Sequence, residues 1–132
     1  MKRQGDPARR GTGKTALVVD DNASIRKTLV AAFLSDGFTA CAQAADGKQG
    51  VELAKEIRPD IISLDLSMPV MNGLQAASQL RRIFPSTPII LFSLYAETLS
   101  ARDASNAGVS VVLSKTAPLS ALLDKAHELM GD

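Results

Sequence analysis

Five side chains in this sequence have the types and placement to handle a charged, oxygen-rich ligand: Asp20, Asp21, Asp65, Ser93 and Lys115. Each stands at the end of a short apolar run. Ala16-Leu17-Val18-Val19 leads to the acid pair and Ile61-Ile62-Ser63-Leu64 to Asp65. Ile89-Ile90-Leu91-Phe92 leads to Ser93, and a run beginning at Val109 leads through Ser114 to Lys115. Runs of this kind fill parallel strands buried on both faces. If the strands are parallel, all five groups gather at the carboxyl end of the sheet, where open α/β sheets bind their ligands.

Carboxylates gathered this closely repel one another, and one would keep its proton unless a cation neutralised them. Oxygen donors without His or Cys select a hard divalent ion, Mg²⁺ before Mn²⁺ or Ca²⁺. Taken singly, each acid, Asp21 above all, reads equally well as a helix cap or a loop charge. Caps alone do not account for their joint placement. A divalent ion beside an ammonium and a hydroxyl is equipment for a phosphoryl group. Lys115 would neutralise phosphoryl oxygens and Ser93 would donate a hydrogen bond. Asp65, central in the row, would be the nucleophile that becomes an acyl phosphate.

The elements that must position these groups alternate regularly from Thr15 onward. Strands are expected over about 15–20, 38–43, 61–64, 88–93 and 109–114, and helices over about 23–35, 47–57, 73–83, 97–107 and 118–130. Apolar residues recur at helical spacing in Ile25, Leu29, Ala32 and Phe33, in Val51, Ala54 and Ile57, and in Leu119, Leu122, Leu123, Ala126 and Met130. Leu99 is the one large aliphatic residue of the fourth helix, which is therefore the most weakly anchored. Strands alternating with helices give a doubly wound α/β sandwich, a flavodoxin-like (βα)₅ fold. Right-handed crossovers favour the parallel order 2-1-3-4-5. The Rossmann order would need a glycine-rich turn after the first strand, where this chain has Asp20-Asp21-Asn22.

With these elements, Asp20-Asp21, Asp65 followed by Met68-Pro69 and Gly73, Ser93, and Lys115 together resemble the receiver domain of two-component response regulators. The resemblance covers about residues 15–131. It implies a phosphorylation-dependent switch, not a turnover enzyme. Asp65 would accept a phosphoryl group from the phosphohistidine of a sensor histidine kinase or a histidine phosphotransfer protein, and the change in shape would control an output domain or target protein. It further implies Mg²⁺ (or Mn²⁺) held by Asp21, Asp65 and the main-chain carbonyl of Ser67, with Asp20 acting through water, and Ser93 and Lys115 holding the phosphoryl group.

Two positions depart from the family pattern. The usual aromatic residue three places before the lysine is Val112, with Tyr95 either its substitute or a partly exposed loop aromatic. The proline that commonly follows the lysine is Thr116, so the Lys115–Thr116 peptide is expected to be trans.

The remaining features bound the reading. At 132 residues, 45% hydrophobic and 22% charged, the chain is one globular domain with a real core. Residues 1–14 carry Lys2, Arg3, Arg9, Arg10 and Lys14 against Asp6, a flexible basic leader; the remainder is mildly acidic and offers no basic face for direct nucleic-acid binding. No apolar run approaches the roughly 20 residues that span a bilayer. A lone cysteine, Cys41, excludes an internal disulfide, fits a cytoplasmic setting and reads as a small buried residue. Gly11-Thr12-Gly13-Lys14-Thr15 mimics the end of a P-loop, but Ala8 stands where its first glycine belongs and a strand follows where a helix should. His127-Glu128 fails the HExxH zinc pattern at Gly131, which leaves a solvent-facing histidine. A phosphatase using an aspartyl nucleophile would need a second acid at Ser67. A module that has lost phosphorylation remains as a rival on the strength of Val112 and Thr116. The surfaces of the fourth and fifth helices are candidates for a phosphorylation-dependent homodimer.

Overall fold

The computed structural model describes residues 13–131, so the basic leader, apart from Gly13 and Lys14, and the first two residues of the P-loop mimic, Gly11 and Thr12, lie outside the described residues. Strands β1 (Thr15–Val19), β2 (Ala40–Ala44), β3 (Ile61–Leu64), β4 (Ile89–Ser93) and β5 (Val111–Ser114) form one parallel sheet in the order β2-β1-β3-β4-β5. Helices α1 (Ala23–Ser35), α2 (Gly47–Ile57), α3 (Gly73–Ile83), α4 (Ala101–Asn106) and α5 (Leu119–Met130) connect or follow them. The fold class and strand order are those expected.

Because side chains alternate across a strand, the apolar runs feed two cores at once. Ala16, Val18, Ile61, Ile90 and Phe92 pack under α1 and α5 against Leu29, Phe33, Leu122 and Ala126. Leu17, Val19, Ile62, Leu64, Ile89 and Leu91 pack under α2 and α3 against Val51, Ala54, Ala77 and Leu80. Burying a Leu, Ile or Phe of this kind contributes about 1.5–3 kcal/mol. Loops are left to carry the polar groups.

The first three helices begin where their caps predict. Asn22 Oδ1 accepts from the Ile25 amide at 3.0 Å, Asp46 Oδ1 from the Gln49 amide at 2.8 Å, and Asn72 forms a reciprocal capping box with Gln75. The expected fourth helix is broken. A 3₁₀ turn (Ala96–Thr98) precedes α4, and Leu99 between them is extended and packs against the α2/α3-side core. Ser100 then restarts the helix, its Oγ accepting from the Asp103 amide at 3.0 Å. β2 begins two residues late because the Phe38 amide closes the end of α1 on the Phe33 carbonyl. Likewise β5 begins at Val111, since Gly108 (φ 86°) and the Val109 amide, bonded to Ala104, still belong to the close of α4.

His127 is not solvent-facing. Its Nε2 pairs with Asp36 Oδ2 and its ring lies 6.0 Å from that of Phe38, tying the last turns of α1 and α5 together. Cys41 is half-buried, and that burial pushes its thiol up to about 12, so it stays protonated at neutral pH.

Helix α2 lies so close to β1 that a Cβ on Gly50 would come 2.8 Å from Val19 Cγ2. In open space Gly→Ala inside a helix stabilises by about 1 kcal/mol. Here overpacking reverses the sign: Gly50→Ala lowers stability by about 1–3 kcal/mol, and Val19→Ala relieves that loss in the double variant. Urea unfolding of the four proteins of this cycle checks it; a stabilising Gly50→Ala contradicts it.

Candidate functional site

Three of the five candidate side chains hang from the last rung of the ladder beside them. The Asp20 amide bonds the Ala44 carbonyl of β2 at 3.1 Å, the Asp65 amide the Val19 carbonyl of β1 at 2.9 Å, and the Lys115 amide the Ser93 carbonyl of β4 at 3.0 Å. Strand register therefore sets the three residues level at one end of the sheet. One carboxylate oxygen from each of Asp20, Asp21 and Asp65 lies within 4.8 Å of the others. Asp20 and Asp65 are buried and Asp21 is exposed.

Lys115 Nζ closes the group, 2.6 Å from Asp20 Oδ2 and 3.2 Å from Asp65 Oδ1, with its side chain only 8% exposed. The other Asp20 oxygen accepts from the Asn22 amide at 2.9 Å. Burial, then the charge of Asp20, raises the Asp65 carboxyl above its ordinary value; Lys115 offsets only part of this. For Lys115, burial alone would depress the ammonium. Its hydrogen bond to Asp20 and the charges of Asp20 and Asp65 outweigh that and leave its pKa raised.

The loop after β3 is shaped to pass over Asp65. Pro69-Val70-Met71 makes a tight turn, with the Met71 amide 2.7 Å from the Pro69 carbonyl and Val70 at φ 69°. A β-branched residue is strained there, and such strain gathers around functional sites. Asn72 caps α3. Gly73 starts α3 directly against the strand end: a Cβ on it would lie 2.3 Å from the Asp65 carbonyl oxygen. Only glycine permits that approach. Met68 is buried in the α2/α3-side core, while Ser67 is exposed. Ser67 lines an open cleft of about 420 Å³ with Met68, Asn72 and Tyr95.

Ser93 is fully buried, and its Oγ accepts from the Tyr95 amide at 2.9 Å. Acting as acceptor leaves the hydroxyl proton free. Tyr95 is 53% exposed and Val112 half-buried against the core, so no aromatic ring occupies the position before Lys115. The Lys115–Thr116 peptide is trans, as expected. In place of a proline, the Thr116 amide bonds Ser114 Oγ at 3.1 Å and the two hydroxyls lie 2.7 Å apart.

Two contributors were not singled out in the sequence. Arg26, one turn into α1, donates from Nη1 to the Asp20 carbonyl (2.8 Å) and from Nε to Gln43 Oε1 (2.9 Å). An arginine four residues past the Asn22 cap reads as a surface charge, and Gln43 as an edge residue; only the pairing of β1 with β2 brings them together.

The donor set fits a divalent cation. Three carboxylates face one ammonium, a formal charge of −2, and all three donors are oxygen.

A family model described as the response regulator receiver domain matches residues 16–127, and the chain belongs to that family. A chemotaxis protein CheY of Thermotoga maritima is 34% identical over 78% of this chain and 86% of its own length. A protein-glutamate methylesterase/protein-glutamine glutaminase of Alkalilimnicola ehrlichii is 37% identical over 76% of this chain, which spans only 26% of that protein. Among solved structures, the CheX-CheY-BeF3-Mg²⁺ complex of Borrelia burgdorferi matches with a TM-score of 0.81 and 26% identity, over 88% of each chain. The chain is thus a receiver domain of response regulators, the class of signalling switches to which CheY belongs. Among the described residues no helix is long and apolar enough to cross a membrane.

Removing the ammonium leaves two buried carboxylates facing each other. Lys115→Ala therefore lowers stability at pH 7 by about 3 kcal/mol, the low end for breaking a buried pair. A raised lysine pKa means the contribution is fully present below about pH 10.5, so the wild type holds it throughout the neutral range. In the variant, the deficit shrinks as the pH falls, because Asp65, its carboxyl already raised, takes up a proton. Thermal unfolding followed by circular dichroism from pH 5 to 8 reads both effects; a deficit independent of pH contradicts the account.

Proposed function

We propose that this chain is a phosphorylation-driven signalling switch whose acceptor is Asp65. The observation that carries the reading is the approach of Lys115 Nζ to Asp20 and Asp65, at 2.6 and 3.2 Å, within a cluster of three carboxylates. In transfer from a phosphohistidine, an Asp65 oxygen attacks phosphorus in line. The new P–O bond forms as the P–N bond breaks, and the departing imidazole keeps the electron pair and takes a proton from water. Asp21, Asp65 and the Ser67 carbonyl would hold Mg²⁺, or Mn²⁺, with Asp20 acting through water. The ion supplies positive charge against the oxygens of the group being transferred.

Lys115 then turns from the bare carboxylates to the phosphoryl oxygens, and Ser93 donates its free proton to another. Moving Ser93 breaks its bond to the Tyr95 amide. That releases the loop carrying Leu94 and Tyr95, which leads into the 3₁₀ turn and the short α4. Charge at Asp65 thereby becomes a change of shape on the α4 side, without an aromatic at Val112. The donor is a sensor histidine kinase or histidine phosphotransfer protein in the cytoplasm, and the reader an output domain or target protein. Asp65 is consumed and regenerated; the chain is a phosphoryl acceptor, not a turnover catalyst.

Incubation with radiolabelled acetyl phosphate and Mg²⁺ is expected to label the wild type and leave Asp65→Asn unlabelled. Label retained in that variant places the acceptor elsewhere. Ser93→Ala is expected to remain labelled while losing the phosphorylation-dependent shifts of amide resonances in residues 94–107. Undiminished shifts in that variant rule out Ser93 as the coupling group.

A further inference from the structure

Asp21 is exposed and makes no side-chain hydrogen bond or ion pair among the described residues, yet its carboxylate lies in the cluster with Asp20 and Asp65. Its aim is therefore set by the backbone that leads into it. That backbone is pinned on both sides of Asp20, whose amide bonds Ala44 at 3.1 Å and whose carbonyl accepts from Arg26 Nη1 at 2.8 Å. The Asp20 carbonyl belongs to the peptide plane that joins Asp20 to Asp21. A rigid plane fixed at its oxygen fixes the direction in which Asp21 leaves. Arg26 is itself held from a third element, its Nε 2.9 Å from Gln43 Oε1 near the end of β2. The guanidinium makes these two bonds from separate nitrogens, Nε and Nη1, held in one rigid plane, a fixed spacing that the single nitrogen of an ammonium does not reproduce.

We infer that Arg26, braced by Gln43, is a positioning residue for the divalent-cation site, aiming the Asp21 carboxylate through the Asp20–Asp21 peptide. This rests on the metal-dependent reading given above and extends it to residues that touch no ligand. The sign of the effect separates positioning from charge. Arg26 is a cation beside a cation site, so its charge alone opposes Mg²⁺, and neutralising it should tighten binding. A positioning role demands the reverse.

The experiment titrates the wild type, Arg26→Gln, Arg26→Lys and Gln43→Ala with Mg²⁺, following amide resonances at a temperature where all four are folded. Exchange of the Asn22 amide, bonded to Asp20 Oδ1, is measured without metal. Arg26→Gln is expected to weaken Mg²⁺ about tenfold or more, the scale for groups that orient metal ligands from behind. Gln43→Ala, which leaves the charge in place, weakens it by a smaller factor. Arg26→Lys recovers part of the loss, and Asn22 exchange quickens in Arg26→Gln. Unchanged or tighter binding in Arg26→Gln overturns the inference while the metal-dependent reading stands. A wild type that takes up no Mg²⁺ overturns both.

Discussion

Two buried carboxylates side by side at the end of a sheet oblige the fold to supply a cation, and the architecture can be read as the way it does so. The order β2-β1-β3-β4-β5 makes β1 and β3 neighbours, which puts Asp20 beside Asp65. The balancing charge comes from β5, two strands from β3. At about 4.8 Å per strand the gap is roughly 10 Å, a span suited to a lysine stem. The strand between must then end in a residue small enough to leave the path open, and β4 ends in Ser93. One electrostatic requirement thus accounts for a long side chain on β5 and a small one on β4.

Much of this was legible in the sequence, for physical reasons that differ by element. β3 and β4 are buried on both faces, so their unbroken apolar runs declare themselves. α1, α2 and α3 begin at the residues expected of them, and in the structure the oxygens of Asn22, Asp46 and Asn72 satisfy amides those helices leave open. The gathering of Asp20, Asp21, Asp65 and Lys115 was legible because placement at a strand end needs only the strand and the residue after it. Features that depend on a partner distant in the chain were not. His127 finds Asp36 and Arg26 finds Gln43 only once the sheet is assembled. The break at Leu99-Ser100 was missed for another reason. A polar, alanine-rich stretch satisfies helix propensity throughout, and a serine cap inside it competes with continuation on nearly equal terms.

Both departures from the family pattern have local structural answers. Without proline after Lys115, the turn is held by the Ser114 hydroxyl, which takes the Thr116 amide and meets the Thr116 hydroxyl. Side chains here do the ordering that a ring would otherwise do. Without an aromatic at position 112, β5 presents a row of half-buried small and branched residues, Val111 through Ser114. The groove between β5 and α4, lined by Leu99, Ala104, Val109 and Val112, is correspondingly shallow in large side chains. Motion on that side would be carried by main chain more than by one swinging ring.

The energetics of that motion follow from the same three acids. At rest a single ammonium serves three carboxylates, and burial, then the charge of Asp20, holds the Asp65 carboxyl above its ordinary value. Phosphorylation there, as proposed, would add about −1.5 to −2 charges. The added charge can be met by a bound divalent ion, by Lys115 and by the proton of Ser93. Of the two side chains, Lys115 would exchange one anionic partner for another, whereas Ser93 would give up the structural hydrogen bond from the Tyr95 amide. Such a bond is worth about 1 kcal/mol net. Under the proposed function, a charge-assisted bond to phosphate would exceed it by a small margin, and the two arrangements of the β4–α4 loop would lie close in free energy. Closeness of that order would let one added phosphoryl group decide between them.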